Sequence, residues 1–252
     1  MLGWKNMDKK VVLVTGASSG IGASIIEKFA KNNYNCVINY NTNYEEALKL
    51  KERLEKEYKI KCLIIKADVS NDDEVKNMFD KTINEFNRID TIVNNAAIAL
   101  DTLFELKTKK DFMRTLEVNL YGTFNVSRVF GTYMYNQKHG NIINISSTNG
   151  IDTYYEFSMD YDASKAGVIN LTHNLSNKFA PYIRVNCVCP GWVKTPMNKE
   201  LDESFIKEEE NKILLNRFAE PNEIANLVYF LSTEEASYIN DSIIRIDGGK
   251  KC

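Results

Sequence analysis

The chain has 252 residues, of which 44% are hydrophobic and 26% charged, and this composition is that of an ordinary soluble globular protein. A formal net charge of -2 lacks the basic excess of a nucleic-acid-binding surface. No apolar run approaches the roughly 20 residues of a membrane span, and residues 1–10 are too polar for a signal peptide. Five cysteines without regular spacing indicate free thiols in a reducing compartment, so we expect a cytoplasmic protein with no membrane or nucleic-acid partner.

The first motif is a glycine-rich turn between a predicted apolar strand, residues 10–14, and a predicted helix. It reads Thr15-Gly16-Ala17-Ser18-Ser19-Gly20-Ile21-Gly22, and apolar residues recur after it at helical spacing. At the start of a helix, free N–H groups and the positive end of the helix dipole face a ligand, and small residues let a phosphate approach the backbone. The turn therefore predicts an anion site, although an isolated glycine triplet is also compatible with a simple tight turn.

Strand and helix signals alternate along the rest of the chain. Strands are predicted at residues 36–40, 61–66, 91–93, 141–145, 184–189 and 242–246. Helices are predicted at residues 45–58, 109–135 and 222–232, and another holds Tyr161 and Lys165 and ends near residue 180. Strands separated by helices form a doubly wound parallel sheet, so the predicted fold class is α/β with ligands at the carboxyl ends of the strands.

Tyr161 and Lys165 are four residues apart and share one face of the predicted helix. An ammonium near a phenol stabilises the phenolate and lowers the phenol pKa from about 10, which produces an acid suited to proton transfer. Among the 13 tyrosines, Tyr161 alone has Lys or Arg four residues later. The spacing makes this pair a candidate general acid/base.

The motifs together resemble the classical short-chain dehydrogenase/reductase family over residues 10–249. They occur in the family's order: Thr15-Gly16-x-x-x-Gly20-Ile21-Gly22, Asp68, Asn94-Asn95-Ala96, Asn119, Ser147, Tyr161-x-x-x-Lys165 and Pro190-Gly191 with Thr195. The resemblance implies one Rossmann-type domain over residues 1–252, with about seven parallel strands and helices on both faces. Two departures are Ala97, where the family has Gly, and Asn240-Asp241 in place of a small residue and Gly.

The resemblance implies roles for four catalytic residues. Tyr161 would be the general acid when a ketone is reduced and the base in the reverse direction. Lys165 would lower its pKa and bind the nicotinamide ribose. Ser147 would hold the substrate oxygen, and Asn119 would bend its helix and hold a water that links Lys165 to solvent. Ser147 as a mere turn residue and Asn119 as a surface residue are the plainer alternatives.

The resemblance also implies a nicotinamide dinucleotide site that includes Tyr161 and Lys165. No carboxylate follows the second strand at Asn41 and Thr42, so the 2′-phosphate would meet no repulsion and NADP(H) is favoured over NAD(H). The Arg or Lys that commonly grips this phosphate is missing at Ser19 and Thr42. The other expected contacts are Gly16, Ser18, Gly20, Ile21, Gly22, Asp68, Val69, Asn95, Ala96, Pro190, Gly191, Val193 and Thr195.

The substrate is less defined. The pattern is closest to 3-oxoacyl-[acyl-carrier-protein] reductases, which place basic residues beside the pocket; Lys138 occupies one such position and Tyr182 the other. Residues 197–215 look like a mobile lid. The alternatives are a reductase of a sugar, steroid or other small carbonyl compound, or an inactive dinucleotide-binding sensor. We expect a homotetramer assembled through the helices that hold Asn119 and Tyr161. Apolar positions that permit this assembly are Phe112, Leu116, Phe124, Val129, Phe130 and Tyr133. We expect no metal site.

Overall fold

The fold is built on one sheet of seven parallel strands, seen in a computed structural model that describes residues 9–198 and 201–250, except for the side chain of Met197. Along the sheet the strands lie in the order β3-β2-β1-β4-β5-β6-β7. Their bounds are β1 Val11–Val14, β2 Asn35–Tyr40, β3 Cys62–Lys66, β4 Thr91–Asn94, β5 Gly140–Ile145, β6 Ile183–Pro190 and β7 Ile243–Ile246. This order confirms the predicted doubly wound α/β fold.

Eight α-helices are found within the described residues. Their bounds are α1 Gly20–Lys31, α2 Tyr44–Tyr58, α3 Asp72–Phe86, α4 Lys109–Leu116, α5 Gly122–Gln137, α6 Met159–Phe179, α7 Glu203–Asn211 and α8 Pro221–Ser232. None of the described helices is long and apolar enough to cross a membrane.

Two apolar layers cover the two faces of the sheet. Strand side chains alternate between the faces, so Val12 and Val14 pack with Ile25 of α1, whereas Val11 and Leu13 pack on the other side. The first layer also holds residues of α2 and α8, and the second those of α3, α5 and α6. Because both faces are covered, the central strands read as continuous apolar runs.

The predicted helix 109–135 contains one local distortion. Between α4 and α5, the segment Glu117–Tyr121 is a π-helical turn centred on Asn119. Such a turn widens the helix by one residue and is common at functional sites. The π-helical turn lies where the bend at Asn119 is predicted, and the Asn119 side chain makes the hydrogen bonds described below.

The strand order reverses between β1 and β4. From β1 the chain adds β2 and β3 on one side, and then returns to place β4 and the later strands on the other side. In parallel sheets of this kind, ligands bind in the crevice outside the carboxyl ends of the strands at such a reversal. The glycine-rich turn follows β1 and Asn95 follows β4, so both lie at this crevice. Ser147 follows β5, the next strand in the sheet, at the same edge.

Candidate active site

The glycine-rich turn has the backbone of an anion site. Gly16 and Gly20 have positive φ angles of 61° and 56°, which glycine adopts without strain. Ser19 caps α1 without a side-chain hydrogen bond, so it leaves the first N–H groups of the helix to a ligand. A Cβ at Gly22 would lie 2.5 Å from the Gly16 carbonyl oxygen, so only glycine fits there. These features fit a dinucleotide pyrophosphate.

The turn is held against the end of β4. The Thr15 hydroxyl accepts hydrogen bonds from the N–H groups of Asn95 and Ala96, both at 3.0 Å. The Asn95 amide donates to the carbonyls of Thr15 and Gly16 at 2.9 and 3.1 Å. The predicted contacts Gly16, Asn95 and Ala96 therefore form one rigid unit.

Asn39, in the otherwise apolar strand β2, also supports the turn. Its side-chain oxygen accepts from the Gly16 N–H at 3.2 Å, and its amide donates to the carbonyl of Ala67 at 3.0 Å. Asn39 is not among the predicted site residues, although a polar residue in a buried strand is a usable signal. Asn41 and Thr42 follow as exposed residues at the edge where a ribose phosphate would lie.

Asp68 and Val69 follow β3 at the same edge. The Asp68 carboxylate accepts from the Ser70 hydroxyl at 2.6 Å and from the Arg114 guanidinium at 2.5 Å. Burial opposes ionisation, but these hydrogen bonds outweigh it and lower the pKa of Asp68. Val69 is buried against Gly122 at the start of α5. Arg114 thus ties the predicted adenine side of the site to α4, a contact that sequence analysis missed.

Ser147, Tyr161 and Lys165 come together between β5 and α6. The Ser147 side chain is close enough to the Tyr161 hydroxyl to favour its ionised form, and the Lys165 ammonium lies 5.3 Å from the centroid of the Tyr161 ring. Lys165 is buried and donates to the Ile145 carbonyl at 2.9 Å. The plain alternative for Ser147, a turn residue, is also partly true, because its hydroxyl accepts from the Asn149 N–H at 3.2 Å.

The protonation of the Tyr161–Lys165 pair differs from the prediction. Desolvation raises the pKa of Tyr161 to about 12, although the nearby Ser147 side chain acts in the opposite direction. Burial also lowers the pKa of Lys165 to about 8. The predicted lowering of the Tyr161 pKa is therefore wrong for the protein alone, because removing both groups from water favours the neutral form of each.

Asn119 links α4 and α5 to the motif on α6. Its amide donates to the Ile98 carbonyl at 2.9 Å and to the Ser164 hydroxyl at 3.0 Å, and its side-chain oxygen accepts from the Ile98 N–H at 2.8 Å. With an exposed fraction of 1%, it is not the surface residue of the plainer alternative.

The segment after β6 closes the other side of the crevice. Pro190 ends β6, and the Gly191 N–H donates to the Ile246 carbonyl at 3.1 Å. Val193 is buried, and Thr195 approaches the glycine turn closely enough that a Cβ at Gly20 would contact it at 3.4 Å. This brings the last predicted cofactor contacts to the site.

The predicted lid, residues 197–215, contains α7, while Lys199, Glu200 and the Met197 side chain lie outside the described part of the chain. Phe205 of α7 meets Trp192 edge-on at 5.8 Å between ring centroids and lies 6.5 Å from Tyr155. The Trp192 indole also donates to Glu209 at 2.9 Å. The lid therefore contacts the segment between Ser147 and Tyr161 through aromatic rings.

Lys138 and Tyr182 do not lie beside this site within one chain. They directly precede β5 and β6, whereas Ser147 follows β5, so they lie at the opposite edge of the sheet. The Lys138 ammonium instead stands 5.7 Å from the Tyr182 ring centroid. The expectation of a basic residue beside the pocket is wrong for the single chain, because the length of strand β5 separates Lys138 from Ser147.

The sequence motifs also did not predict an ion pair formed by Asp160, the residue before Tyr161. Asp160 is fully buried and accepts from the Lys107 ammonium at 2.8 Å and from the Thr115 hydroxyl at 2.6 Å. The pair fastens the loop after β4 to the start of α6. Two acidic residues flanking Tyr161, Asp160 and Asp162, were the available signal.

Comparisons with known proteins agree with this geometry. The sequence profile of a family described as enoyl-(acyl carrier protein) reductase matches residues 16–251. The chain is 36% identical to the 3-oxoacyl-[acyl-carrier-protein] reductase FabG of Thermotoga maritima, covering 96% of this chain and 98% of that protein. The FabG protein of Aquifex aeolicus is also 36% identical, with coverage of 95% and 96%.

Two solved structures share the fold. Levodione reductase superposes with a TM-score of 0.90 at 31% identity, covering 95% of this chain and 96% of that one. The 3-oxoacyl-[acyl-carrier protein] reductase of Brucella melitensis superposes with a TM-score of 0.90 at 29% identity, covering 97% and 92%. The profile match over most of the chain, the FabG relatives and the shared fold place the protein in the short-chain dehydrogenase/reductase family of oxidoreductases.

Proposed function

We propose that the protein reduces the carbonyl group of a 3-oxoacyl thioester carried by acyl carrier protein, with NADPH as the hydride donor. The observation that supports the chemistry is the grouping of Ser147, Tyr161 and Lys165 beside the glycine-rich turn. The support for the substrate is the similarity to proteins named 3-oxoacyl-[acyl-carrier-protein] reductase over nearly the whole chain.

The bound dinucleotide would supply a hydride to the carbonyl carbon. The hydroxyl groups of Ser147 and Tyr161 would bind the carbonyl oxygen, where negative charge develops, and Tyr161 would donate its proton there. A phenol whose pKa is raised to about 12 stays protonated before the reaction, which suits a general acid. The buried Lys165 ammonium would stabilise the phenolate that remains.

Asn119 would act through position. It connects Ile98 to Ser164, which lies next to Lys165 in the motif, and so holds α6 against the π-helical turn. The cofactor contacts would be the residues of the glycine-rich turn, Asp68 and Val69, Asn95 and Ala96, and the segment 190–195. Asn41 and Thr42, without a carboxylate, are the basis for proposing NADPH.

Mixing the protein with NADPH and a panel of 3-oxoacyl thioesters and simple ketones, and following the loss of NADPH absorbance, tests the proposal. We expect the thioesters to be turned over faster than the ketones. Among the thioesters, those of the carrier protein should be turned over faster than those of a small thiol. Turnover confined to small ketones would contradict the proposed substrate. Cofactor binding without turnover of any compound would favour the sensor.

The second candidate is a reductase of a small carbonyl compound, in keeping with the match to levodione reductase. The feature that favours it is the cluster of contacting aromatic rings formed by Tyr155, Phe157, Trp192 and Phe205 between the loop before α6 and α7. The same substrate panel separates the two candidates.

The single-domain organisation, cytoplasmic location and homotetramer are parts of the same proposal. For the tetramer, exposed apolar side chains on the helices before and after the π-helical turn, such as Met113 and Phe124, are the support. Phe130, in contrast, is fully buried in the core and is not available to a partner. Sizing chromatography that gives the mass of one 28.9 kDa chain would contradict the tetramer.

A further inference from the structure

Asp162, the residue after Tyr161, binds three groups of the preceding loop. Its Oδ1 accepts from the Asn149 side-chain amide at 2.6 Å and from the Ser158 hydroxyl at 3.2 Å. Its Oδ2 accepts from the Tyr155 N–H at 3.2 Å. One carboxylate thus fastens both ends of the loop 149–158 to the helix that carries Tyr161.

The first of these contacts continues to Ser147. The Asn149 N–H donates to the Ser147 oxygen at 3.2 Å, and the Ser147 hydroxyl is 3.2 Å from the Asn149 side-chain oxygen. The amide of Asn149 is therefore held at its nitrogen by Asp162 and meets the Ser147 hydroxyl at its oxygen. A chain of hydrogen-bonded groups therefore runs from Asp162 through Asn149 to Ser147, and the Ser147 side chain in turn lies close to the Tyr161 hydroxyl.

An acidic residue in the first turn of a helix has an ordinary explanation, since a carboxylate there stabilises the helix dipole. Asp162 lies in the first turn of α6. Its three hydrogen bonds, however, all go to the loop and not to the N–H groups of α6, so the loop is what it organises. A charged acceptor also makes stronger hydrogen bonds than a neutral one.

We propose that Asp162 is a positioning residue that orients the Ser147 hydroxyl through Asn149 and anchors the loop 149–158 beside the substrate. This inference rests on the proposed function, because it assigns Ser147 to the carbonyl oxygen. Asp162 itself need not touch substrate or cofactor.

The test compares Asp162→Ala, Asn149→Ala and the double variant with wild type. Each single variant should displace the Ser147 hydroxyl by a fraction of an ångström. Because a small displacement of a catalytic group slows the reaction strongly, kcat should fall by about 10- to 100-fold, with little change in KM and in NADPH affinity. Because both residues act through one chain, the double variant should be no slower than the slower single one. Asp162→Asn, which keeps an acceptor for Asn149, should recover part of kcat.

Asp152→Ala is the matched control. Asp152 lies in the same loop and pairs with Arg245, with no contact to Asn149 or Ser147 among the described hydrogen bonds. Its kcat should stay near wild type. Wild-type kcat in Asp162→Ala, or losses that multiply in the double variant, would overturn the proposal.

Hydrogen exchange supplies a readout that does not need turnover. Asp162→Ala should speed exchange of the Tyr155 amide and its neighbours in residues 149–158, whereas Asp152→Ala should leave that amide protected. Unchanged exchange in Asp162→Ala would show that the carboxylate does not anchor the loop. If wild type reduced none of the substrates, the proposed function would fail, and the exchange data would still decide whether Asp162 holds the loop.

Discussion

The Lys165 ammonium lies 5.3 Å from the centroid of the Tyr161 ring while it donates to the carbonyl of Ile145. The end of β5 therefore holds the lysine beside the tyrosine, without a direct hydrogen bond between the two side chains among the described contacts. Burial favours the neutral form of both groups, so charge on either one has to be stabilised by its partners. This arrangement suits a site in which charge develops only during the reaction.

Tyr161→Phe should abolish most of the turnover, because it removes the proton donor and leaves the ring in place. General acid catalysis contributes about 10²–10⁴-fold, so kcat should fall by about that factor. NADPH affinity, measured by fluorescence titration, should change little. Substantial turnover in Tyr161→Phe would refute the proposed role, and Tyr154→Phe, at an exposed tyrosine nearby, is the control.

The buried Lys165 should make stability depend on pH. Its pKa is about 8 in the folded protein and 10.5 ordinarily, so the unfolded chain binds more protons between these values. The free energy of unfolding should therefore rise with pH in this window. Above pH 10, Tyr161 acts in the opposite direction, because its pKa is raised in the folded protein.

Denaturant unfolding of wild type and Lys165→Met measures this effect. The free energy of unfolding of Lys165→Met minus that of wild type should decrease between pH 8 and 10 by up to about 1.4 kcal/mol per pH unit, because only wild type gains stability there. Lys178→Met, at an exposed position of the same helix, controls for the general effect of pH. A constant difference for Lys165→Met across the window would contradict the prediction.

Asn119→Ala should destabilise the protein and slow turnover. It leaves the Ile98 N–H and carbonyl without their partner, and an unsatisfied buried polar group costs about 1–3 kcal/mol. Asn119→Asp keeps the acceptor for the Ile98 N–H but removes the donor to the Ile98 carbonyl and buries a carboxylate, so it should also be less stable than wild type. Thermal unfolding measures the stability of the two variants. Equal stability of Asn119→Ala and wild type would argue against the bridging role.

Gly22→Ala should weaken cofactor binding. The new Cβ would lie 2.5 Å from the Gly16 oxygen and 2.6 Å from the Asn95 amide, so the glycine-rich turn must shift. Overpacking costs about 1–3 kcal/mol, which corresponds to about 5- to 150-fold weaker NADPH binding. Ser24→Ala, in the next part of α1, is the control for fluorescence titrations. Wild-type affinity in Gly22→Ala would place the cofactor elsewhere.

Thr42→Asp should shift the cofactor preference towards NADH. A carboxylate at the end of β2 would repel the 2′-phosphate of NADPH and could accept hydrogen bonds from the ribose hydroxyls of NADH. We expect NADPH affinity to fall by about tenfold or more, with Thr42→Asn close to wild type. Tighter binding of NADH than NADPH by wild type would make the NADP(H) preference wrong.

The sequence by itself determined the architecture and the approximate place of the site. The apolar strands, glycine-rich turn and Tyr161–Lys165 spacing are local patterns, and in a parallel sheet they place Ser147 and the turn at the same edge. Predicted bounds of the strands and helices differ from the structure by only one or two residues at most ends, because apolar periodicity ends where burial ends.

Only the tertiary structure decided the contacts between distant segments. Asp162 with Asn149, Lys107 with Asp160, and Arg114 with Asp68 join residues whose partners no local pattern identifies. The direction of the Tyr161 pKa shift was also decided there, since it depends on how much water the packed chain removes from the ring. Spacing along a helix predicts which side chains are neighbours, whereas desolvation and long-range hydrogen bonds arise only when the whole chain has packed.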